Sequence, residues 1–292
     1  MAAKIIAFLN FKGGVGKTTD TVNISWTLAF HELFPATKVL VVDLDPQCNS
    51  SFWLMGRERW RDADEQCLTT ERLFKAHLQG INPATVAESL VHAVRDDLPA
   101  GRELDVIPCS METIHRAFDK NLINHARYQH IVSSALLTLK DRYDYIFLDC
   151  GPSYNVLTEN ALLAAHYQVV PYTPDYLALE GIKWLGKLTR RLERLHRHRP
   201  VAQPVGVIVN SFAPMNAAMD AVDELRETMN NMREMDLLPP YTTVFEPYIR
   251  RTTRVAEATL MQRPLLDFAP NEPVTRDFVE LTQEITRYID TL

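Results

Sequence analysis

Eight consecutive residues near the start of the chain combine glycine, lysine and threonine in the run Lys12-Gly13-Gly14-Val15-Gly16-Lys17-Thr18-Thr19. Glycines allow several backbone N–H groups to converge on one anion. A lysine at position 17 has the reach to contact the outer phosphates of a nucleotide, and a threonine hydroxyl beside it is a ligand for Mg²⁺. A plain glycine turn is the alternative. The run predicts a phosphate-binding loop for ATP and Mg²⁺.

Carboxylates follow two apolar runs farther along the chain. Asp43 and Asp45 come after residues 38–42, and Asp149 comes after residues 145–148. Carboxylates at the carboxyl ends of parallel strands face the crevice where ligands bind. Four apolar residues followed by aspartate, downstream of a phosphate loop, form the pattern that holds Mg²⁺ through water. We therefore expect Asp149 at the metal, while Asp43 also suits an ordinary strand-end turn.

Both groups of residues require a sheet whose strand ends meet at one edge. Mostly apolar runs of four to six residues suit strands that are buried on both faces of a parallel sheet. The predicted strands are Ile5–Asn10, Lys38–Asp43, Leu104–Ile107, Tyr145–Asp149, Gln168–Tyr172 and Val205–Asn210. Segments of helical composition lie between them, among them Thr18–Leu33, Ile123–Leu139 and Ile182–His198. This alternation predicts an α/β fold with a mostly parallel twisted sheet covered by helices on both faces, and the phosphate-binding loop at residues 12–19 makes it one of the P-loop NTPase type.

Composition limits the remaining possibilities. No linker rich in glycine, serine or proline divides the 292 residues, so we expect one domain over residues 1–292, with residues 50–101 as a variable elaboration. The net charge of −6 restricts any contact with nucleic acid to a local patch. The four cysteines form no C-x-x-C pair, which favours reduced thiols in a cytoplasmic protein. No apolar run has the length of a membrane span, and we expect no membrane partner.

The run 12–19 resembles the deviant Walker A motif of the ParA/MinD family of ATPases, and Asp43-Leu44-Asp45-Pro46-Gln47 resembles the second motif of that family. The segments Pro174–Gly181 and Arg254–Ala258 resemble the ParA branch. The resemblance covers most of residues 4–266. It implies a weak ATPase that forms a nucleotide-sandwich homodimer.

The resemblance also implies roles for individual residues. Lys12 would reach the phosphates bound to the other subunit, Lys17 would contact those of its own subunit, and Asp45 would orient the attacking water. Asp43 would support the Mg²⁺ shell, although the sequence alone does not decide between the two aspartates. Gly151 stands where the family usually has proline, which predicts a more flexible loop after Asp149.

The base of the nucleotide is expected near the end of the predicted strand Val205–Asn210. An amide pairs with the edge of adenine as both donor and acceptor. The resemblance matches Asn210 to the adenine site and Pro247 to the segment that covers the base. Ordinary strand-end turn chemistry is the alternative for both residues.

One predicted helix is strongly basic, with seven bases and one acid between residues 183 and 199. Trp184, Leu185, Leu188, Leu192 and Leu195 recur at helical spacing and are expected to pack on the sheet. Solvated helix faces usually mix charges of both signs, whereas a one-sided basic face binds phosphates electrostatically. With a second cluster after Pro247, the predicted DNA-binding residues are Lys183, Lys187, Arg190, Arg191, Arg194, Arg250, Arg251 and Arg254.

Basic residues in these two regions give the ParA branch ATP-dependent, sequence-independent DNA binding. The resemblance therefore implies a nucleoid-associated ATPase that positions or segregates a chromosome, a plasmid or a protein assembly. A ParB-like or cargo-adaptor protein would stimulate hydrolysis. The competing interpretation is a non-motor metabolic or regulatory P-loop ATPase, which explains the loop and the carboxylates but leaves the basic face without a use.

Overall fold

The computed structural model describes residues 2–292, and its centre is an eight-stranded sheet. The strands are β1 (Lys4–Phe8), β2 (Lys38–Leu44), β3 (His92–Ala93), β4 (Glu103–Ile107), β5 (Tyr145–Cys150), β6 (Tyr167–Tyr172), β7 (Gln203–Val209) and β8 (Thr243–Val244). Their order across the sheet is β3-β4-β2-β5-β1-β6-β7-β8. Every neighbouring pair is parallel except β3 and β4, which are antiparallel. The predicted α/β fold is confirmed.

The central strands are buried on both faces, as their continuous apolar runs predict. In β1, Ile5 and Ala7 belong to one hydrophobic core, and Ile6 and Phe8 belong to the other. Successive strand side chains point to opposite faces, so one strand supplies both cores. The Phe8 ring meets the Phe147 ring edge to face at 5.4 Å. Complete burial of such a side chain contributes about 1.5–3 kcal/mol.

Helices form a layer on each face of the sheet. They are α1 (Lys17–Phe30), α2 (Asn49–Met55), α3 (Arg57–Glu65), α4 (Glu71–Leu78), α5 (Ala84–Ala87), α6 (Ile114–Ala117), α7 (Lys120–Ile123), α8 (Ile131–Leu136), α9 (Val156–Ala164), α10 (Tyr176–Leu195), α11 (Asn216–Glu234), α12 (Thr253–Met261), α13 (Leu265–Phe268) and α14 (Pro273–Asp290). Helices α1, α2 and α12 to α14 pack on the Phe8 face, and α8 to α11 pack on the opposite face.

Two expectations about helices are wrong in detail. The predicted helix Ile123–Leu139 is divided into α7, a 3-10 turn at Tyr128–His130, and α8. Arg127 has a φ of 64°, a left-handed conformation that interrupts a right-handed helix. Trp184 and Leu195 do not pack on the sheet and are 65% and 64% exposed. The buried face of α10 ends at Leu192, one turn before the helix ends.

The segment 50–101 lies against one end of the sheet and contributes β3 to its edge. Within it, α4 is followed by α5, a 3-10 turn at Glu88–Leu90 and then β3. Among the described residues, no helix has the length and hydropathy needed to cross a bilayer. The expectation of one domain over residues 1–292 stays a prediction.

Candidate nucleotide site

The glycine-rich run forms the connection between β1 and α1. Gly14 and Gly16 have φ values of 78° and 103°, which side chains with a Cβ rarely adopt. Gly16 is the N-cap of α1, and no side chain caps that end of the helix. The first N–H groups of α1 are therefore open to an anion, which the helix dipole also attracts. The local structure is that of a phosphate-binding loop.

Lys17 and Thr18 begin α1 and lie inside this loop. Lys17 is 7% exposed, and its Nζ donates to the Lys12 carbonyl oxygen at 3.0 Å. Burial lowers the pKa of Lys17, and the nearby Asp149 and Asp45 carboxylates oppose that shift. Thr18 Oγ1 donates to Asp149 Oδ2 at 2.9 Å. The structure thus brings the lysine, the threonine and the β5 aspartate together, as the sequence predicts.

Asp149 suits a magnesium ion held beside Thr18. It is completely buried, and its Oδ1 has no hydrogen-bond partner among the described residues. Burial, together with the negative charges of Asp43 and Asp45, raises the pKa of Asp149 to about 8. Oxygen ligands next to concentrated negative charge are what Mg²⁺ prefers. The donor set of Thr18 and Asp149 therefore fits the metal that the sequence predicts.

Asp43 and Asp45 differ in their surroundings. Asp45 lines the cavity above the phosphate loop, whereas Asp43 is fully buried and accepts hydrogen bonds from the backbone N–H and hydroxyl of Ser51 and from the Asp45 N–H. Burial raises the pKa of Asp43 to about 6. Both Asp43 oxygens are engaged by protein donors, so Asp43 holds the start of α2 and Asp45 in place. Of the two, Asp45 is the carboxylate that lines the cavity.

Asn210 directly follows β7, and its side chain reaches the phosphate loop. Its Nδ2 donates to the Val15 carbonyl oxygen at 2.9 Å and to Asp20 Oδ2 at 2.7 Å. A Cβ at Gly16 would lie 2.5 Å from the same Nδ2, so only glycine leaves room for this contact. Because both amide hydrogens are used, the side-chain oxygen is the group of Asn210 that can accept a further hydrogen bond.

A cavity of about 650 Å³ lies above the loop, and Pro247 is not in its lining. Pro247 lines a different hollow, beside Glu246 and the C-terminal helix α14. The part of the chain after β8 contributes Ile249, Arg250, Thr252 and Val255 to the nucleotide cavity instead. That Pro247 covers the base stays a prediction.

Comparison with known proteins decides the family. A protein-family profile described as an AAA domain matches residues 3–200. The sporulation initiation inhibitor protein Soj of Bacillus subtilis is 31% identical over 283 residues, which cover 97% of this chain and 98% of Soj. The chain belongs to the ParA/MinD family of deviant Walker A ATPases.

Other relatives agree with this assignment. The chromosome partitioning protein ParA of Caulobacter vibrioides is 30% identical over 287 residues, covering 97% of this chain and 93% of that protein. The apo structure of Cyanothece McdA superimposes with a TM-score of 0.75 at 20% identity, covering 97% of this chain and 99% of McdA. At that identity the superposition shows a shared fold. A ParA/MinD-family fold thus carries the phosphate loop described above.

The lysine that distinguishes the ParA/MinD family points away from its own phosphate loop. Lys12 Nζ lies 2.5 Å from Asp175 Oδ2, at the start of α10. Among the described residues, Lys12 does not line the cavity that its neighbours Gly13 to Thr19 line. Its carbonyl oxygen accepts from Lys17, so only its backbone takes part in the loop of the same subunit.

The predicted basic residues of this ParA/MinD-family chain fall into two groups. Several pair with acids, most of which lie outside residues 183–199: Lys183 with Glu180, Arg190 with Glu193 and Asp236, Arg250 with Asp277, and Arg254 with Glu257 and Glu272. Within residues 2–292, Lys187, Arg191, Arg194 and Arg251 are exposed and form no ion pair within 4 Å. The unpaired basic face of α10 is therefore narrower than the sequence indicates.

Sequence reasoning missed several residues that shape the site. Phe52, Trp53 and Arg57, on α2 and α3, line the cavity although they lie in the segment expected to be a peripheral elaboration. Asp20 is completely buried beside Asn210, and burial raises its pKa well above the usual value. The position of residues 52–57 just after Asp45-Pro46-Gln47 is the one sequence signal that places them near the loop.

Proposed function

We propose that this chain is a ParA-like positioning ATPase that forms an ATP-bound sandwich homodimer and binds DNA without sequence preference. The observation that carries the proposal is the placement of Lys12. It stands next to a complete phosphate loop, yet its ammonium group faces Asp175 rather than the loop's own cavity. A cation in that position serves a phosphate outside its own subunit better than one inside it.

Different residues of each subunit bind the phosphates, hold the metal and orient the attacking water. Lys17 and the open N–H groups of α1 bind the phosphates, and Thr18 with Asp149 would hold Mg²⁺. When bound, Mg²⁺ supplies neutralisation of the charge on the phosphoryl oxygens. Asp45 orients the attacking water from the cavity wall. Lys12 of each subunit stabilises the negative charge that grows on the nucleotide of the other subunit, as an arginine finger does.

The unpaired bases of α10 support the DNA-binding part of the proposal. Lys187, Arg191 and Arg194 are spaced three and four residues apart, so they share one side of the helix. Basic side chains on one face bind the phosphates of DNA electrostatically and do not distinguish base sequence. We propose that DNA occupies this face in the dimer, and that a ParB-like or cargo-adaptor protein stimulates hydrolysis and releases it at the nucleoid.

The experiment measures binding to double-stranded DNA of random sequence at physiological salt, with ATP, with ADP and without nucleotide. We expect ATP to strengthen binding and Arg191→Ala to weaken it about threefold to tenfold for one lost phosphate contact. Lys183→Ala is the matched control because Lys183 is neutralised by Glu180 on the same helix. Equal binding in all three nucleotide states contradicts the positioning function and favours a metabolic or regulatory ATPase.

A further inference from the structure

The ion pair of Lys12 and Asp175 is held in place from several directions. Thr173 Oγ1 donates to the same Asp175 oxygen at 2.6 Å, and the side chains of Lys12 and Asp175 are 30% and 35% exposed. Partial burial raises the pKa of Asp175, but the hydrogen bonds from Lys12 and Thr173 outweigh it and leave that pKa below its usual value. Lys12 therefore has a defined partner within its own subunit.

The backbone around the pair fixes where the carboxylate lies. Asp175 Oδ1 accepts from the Ala178 N–H at 3.0 Å, so Asp175 is the N-cap of α10. The same helix approaches the end of β1 so closely that a Cβ at Gly181 would lie 2.1 Å from Asn10 Oδ1. That Asn10 oxygen accepts from the Lys12 N–H at 3.0 Å. The Lys12 backbone and the Asp175 carboxylate are therefore both held where the segment after β1 contacts α10.

One ammonium group cannot remain on this carboxylate and also contact a phosphate bound to another subunit. We propose that Asp175 is a latch that holds Lys12 in the resting subunit and gives it up only when the phosphates of the partner's nucleotide compete for the ammonium group. The latch rests on the proposed sandwich dimer and names a regulatory residue for it. The Lys12–Asp175 ion pair determines how much negative phosphate charge is needed for two subunits to form the dimer.

The geometry also explains why a carboxylate suits this position. A neutral N-cap would support α10 equally well, since asparagine and serine are as good in that position as aspartate. The negative charge of Asp175 additionally competes with the phosphates for the Lys12 ammonium group. Because the γ-phosphate increases the negative charge facing the lysine, ATP overcomes that competition more readily than ADP does.

The size of the effect follows from the exposure of the pair. A partly exposed ion pair changes an equilibrium by about twofold to fivefold. Two lysines must leave their carboxylates when a symmetric dimer forms, so removing both latches strengthens ATP-dependent dimerisation by about fourfold to twenty-five-fold. Added salt screens the pair and reduces this difference.

Asp175→Asn is the decisive variant because it removes the charge and keeps the N-cap, and Asp175→Ser serves the same purpose if the first variant folds poorly. Glu180→Gln is the matched control, since it breaks a similar ion pair with Lys183 one turn along α10. Dimerisation is measured by sedimentation velocity with a non-hydrolysable ATP analogue and with ADP. Reaction of Lys12 with an acetylating reagent, followed by mass spectrometry, is measured in the nucleotide-free monomer.

We expect Asp175→Asn and Asp175→Ser to increase Lys12 acetylation about twofold or more and to allow dimerisation at lower protein concentration, with Glu180→Gln unchanged in both. Unchanged or weaker dimerisation in both Asp175 variants overturns the latch while the sandwich stands. Unchanged acetylation overturns it as well, because the pair then does not restrain Lys12. If the wild-type protein forms no dimer with the ATP analogue, the sandwich itself is wrong and the latch falls with it.

Discussion

Gly151 lies against the Asp45 carboxylate, so that a Cβ at residue 151 would be 3.3 Å from Asp45 Oδ1. The sequence predicts a flexible loop at Gly151, and the structure gives a second reason why a glycine suits this position. The small residue leaves the Asp45 carboxylate its place in the cavity wall. A contact of 3.3 Å is tight enough that the carboxylate has to move by a few tenths of an ångström to accept a methyl group.

Replacing Gly151 tests the position of Asp45. We expect Gly151→Ala to lower kcat about tenfold, because a small displacement of an orienting group is costly in a preorganised site. ATP affinity should stay close to that of the wild type, since the phosphate contacts are elsewhere. Steady-state hydrolysis and equilibrium ATP binding separate the two quantities. Ser153→Ala, an exposed position in the same loop, is the control, and an equal loss there would remove Asp45 from the explanation.

The Thr18–Asp149 contact predicts how the protein depends on Mg²⁺. Thr18→Ala removes a metal ligand and should raise the Mg²⁺ concentration needed for half-maximal hydrolysis by about tenfold or more. Thr18→Ser keeps the hydroxyl and should behave nearly as the wild type. A magnesium titration of ATP hydrolysis checks both variants. An unchanged titration in Thr18→Ala would show that the hydroxyl does not serve the metal.

Asn210 is predicted to stabilise the empty protein as well as the nucleotide complex. Asn210→Ala leaves the Val15 carbonyl and the buried Asp20 carboxyl without their donor, which costs about 1–3 kcal/mol for each buried group left unpaired. Urea unfolding without nucleotide measures this loss. The double variant Asn210→Ala with Asp20→Asn should lose less free energy of unfolding than the sum of the two single-variant losses, because the two side chains are in contact.

His130 predicts a dependence of stability on pH. Burial and the nearby Arg199, His196 and Arg127 lower the pKa of His130 to about 4 in the folded protein. As the pH falls below about 6.5, the unfolded chain takes up a proton that the folded chain does not, so stability decreases. His130 Nδ1 has no hydrogen-bond partner among the described residues, so His130→Phe removes the titration without losing a bond there.

Urea unfolding at about pH 7.5 and about pH 5 tests this prediction. We expect the wild type to lose about 1 kcal/mol more than His130→Phe over that interval, after allowance for solvent screening. The comparison of wild type with variant cancels the groups that titrate in both proteins. Parallel losses in the two proteins would mean that His130 is protonated equally in the folded and unfolded states.

The site contains residues that a local sequence pattern predicts and residues whose contacts depend on distant parts of the chain. Lys17, Thr18 and Asp149 were predictable because each stands in a short pattern whose neighbours determine its local structure. The contacts of Asp175, Gly151 and Asp20 were not predictable, since each of these residues contacts a residue far away in the chain. Pro247 lies outside the lining of the cavity above the phosphate loop, because a motif match locates a loop but not the direction of each side chain in it.

The basic residues show the same limit. Helical spacing predicted a basic face that the structure shows to be narrower, because Arg190 forms an ion pair with Asp236, which lies beyond its own helix; Arg250 and Arg254 likewise pair with acids on other elements. The sequence by itself determined the sheet and the local structure of the phosphate loop, because those follow from local apolar runs and from glycine at particular positions. Only the tertiary structure decided which charges are neutralised and where Lys12 rests, because ion pairs depend on distances between segments that the chain order does not set.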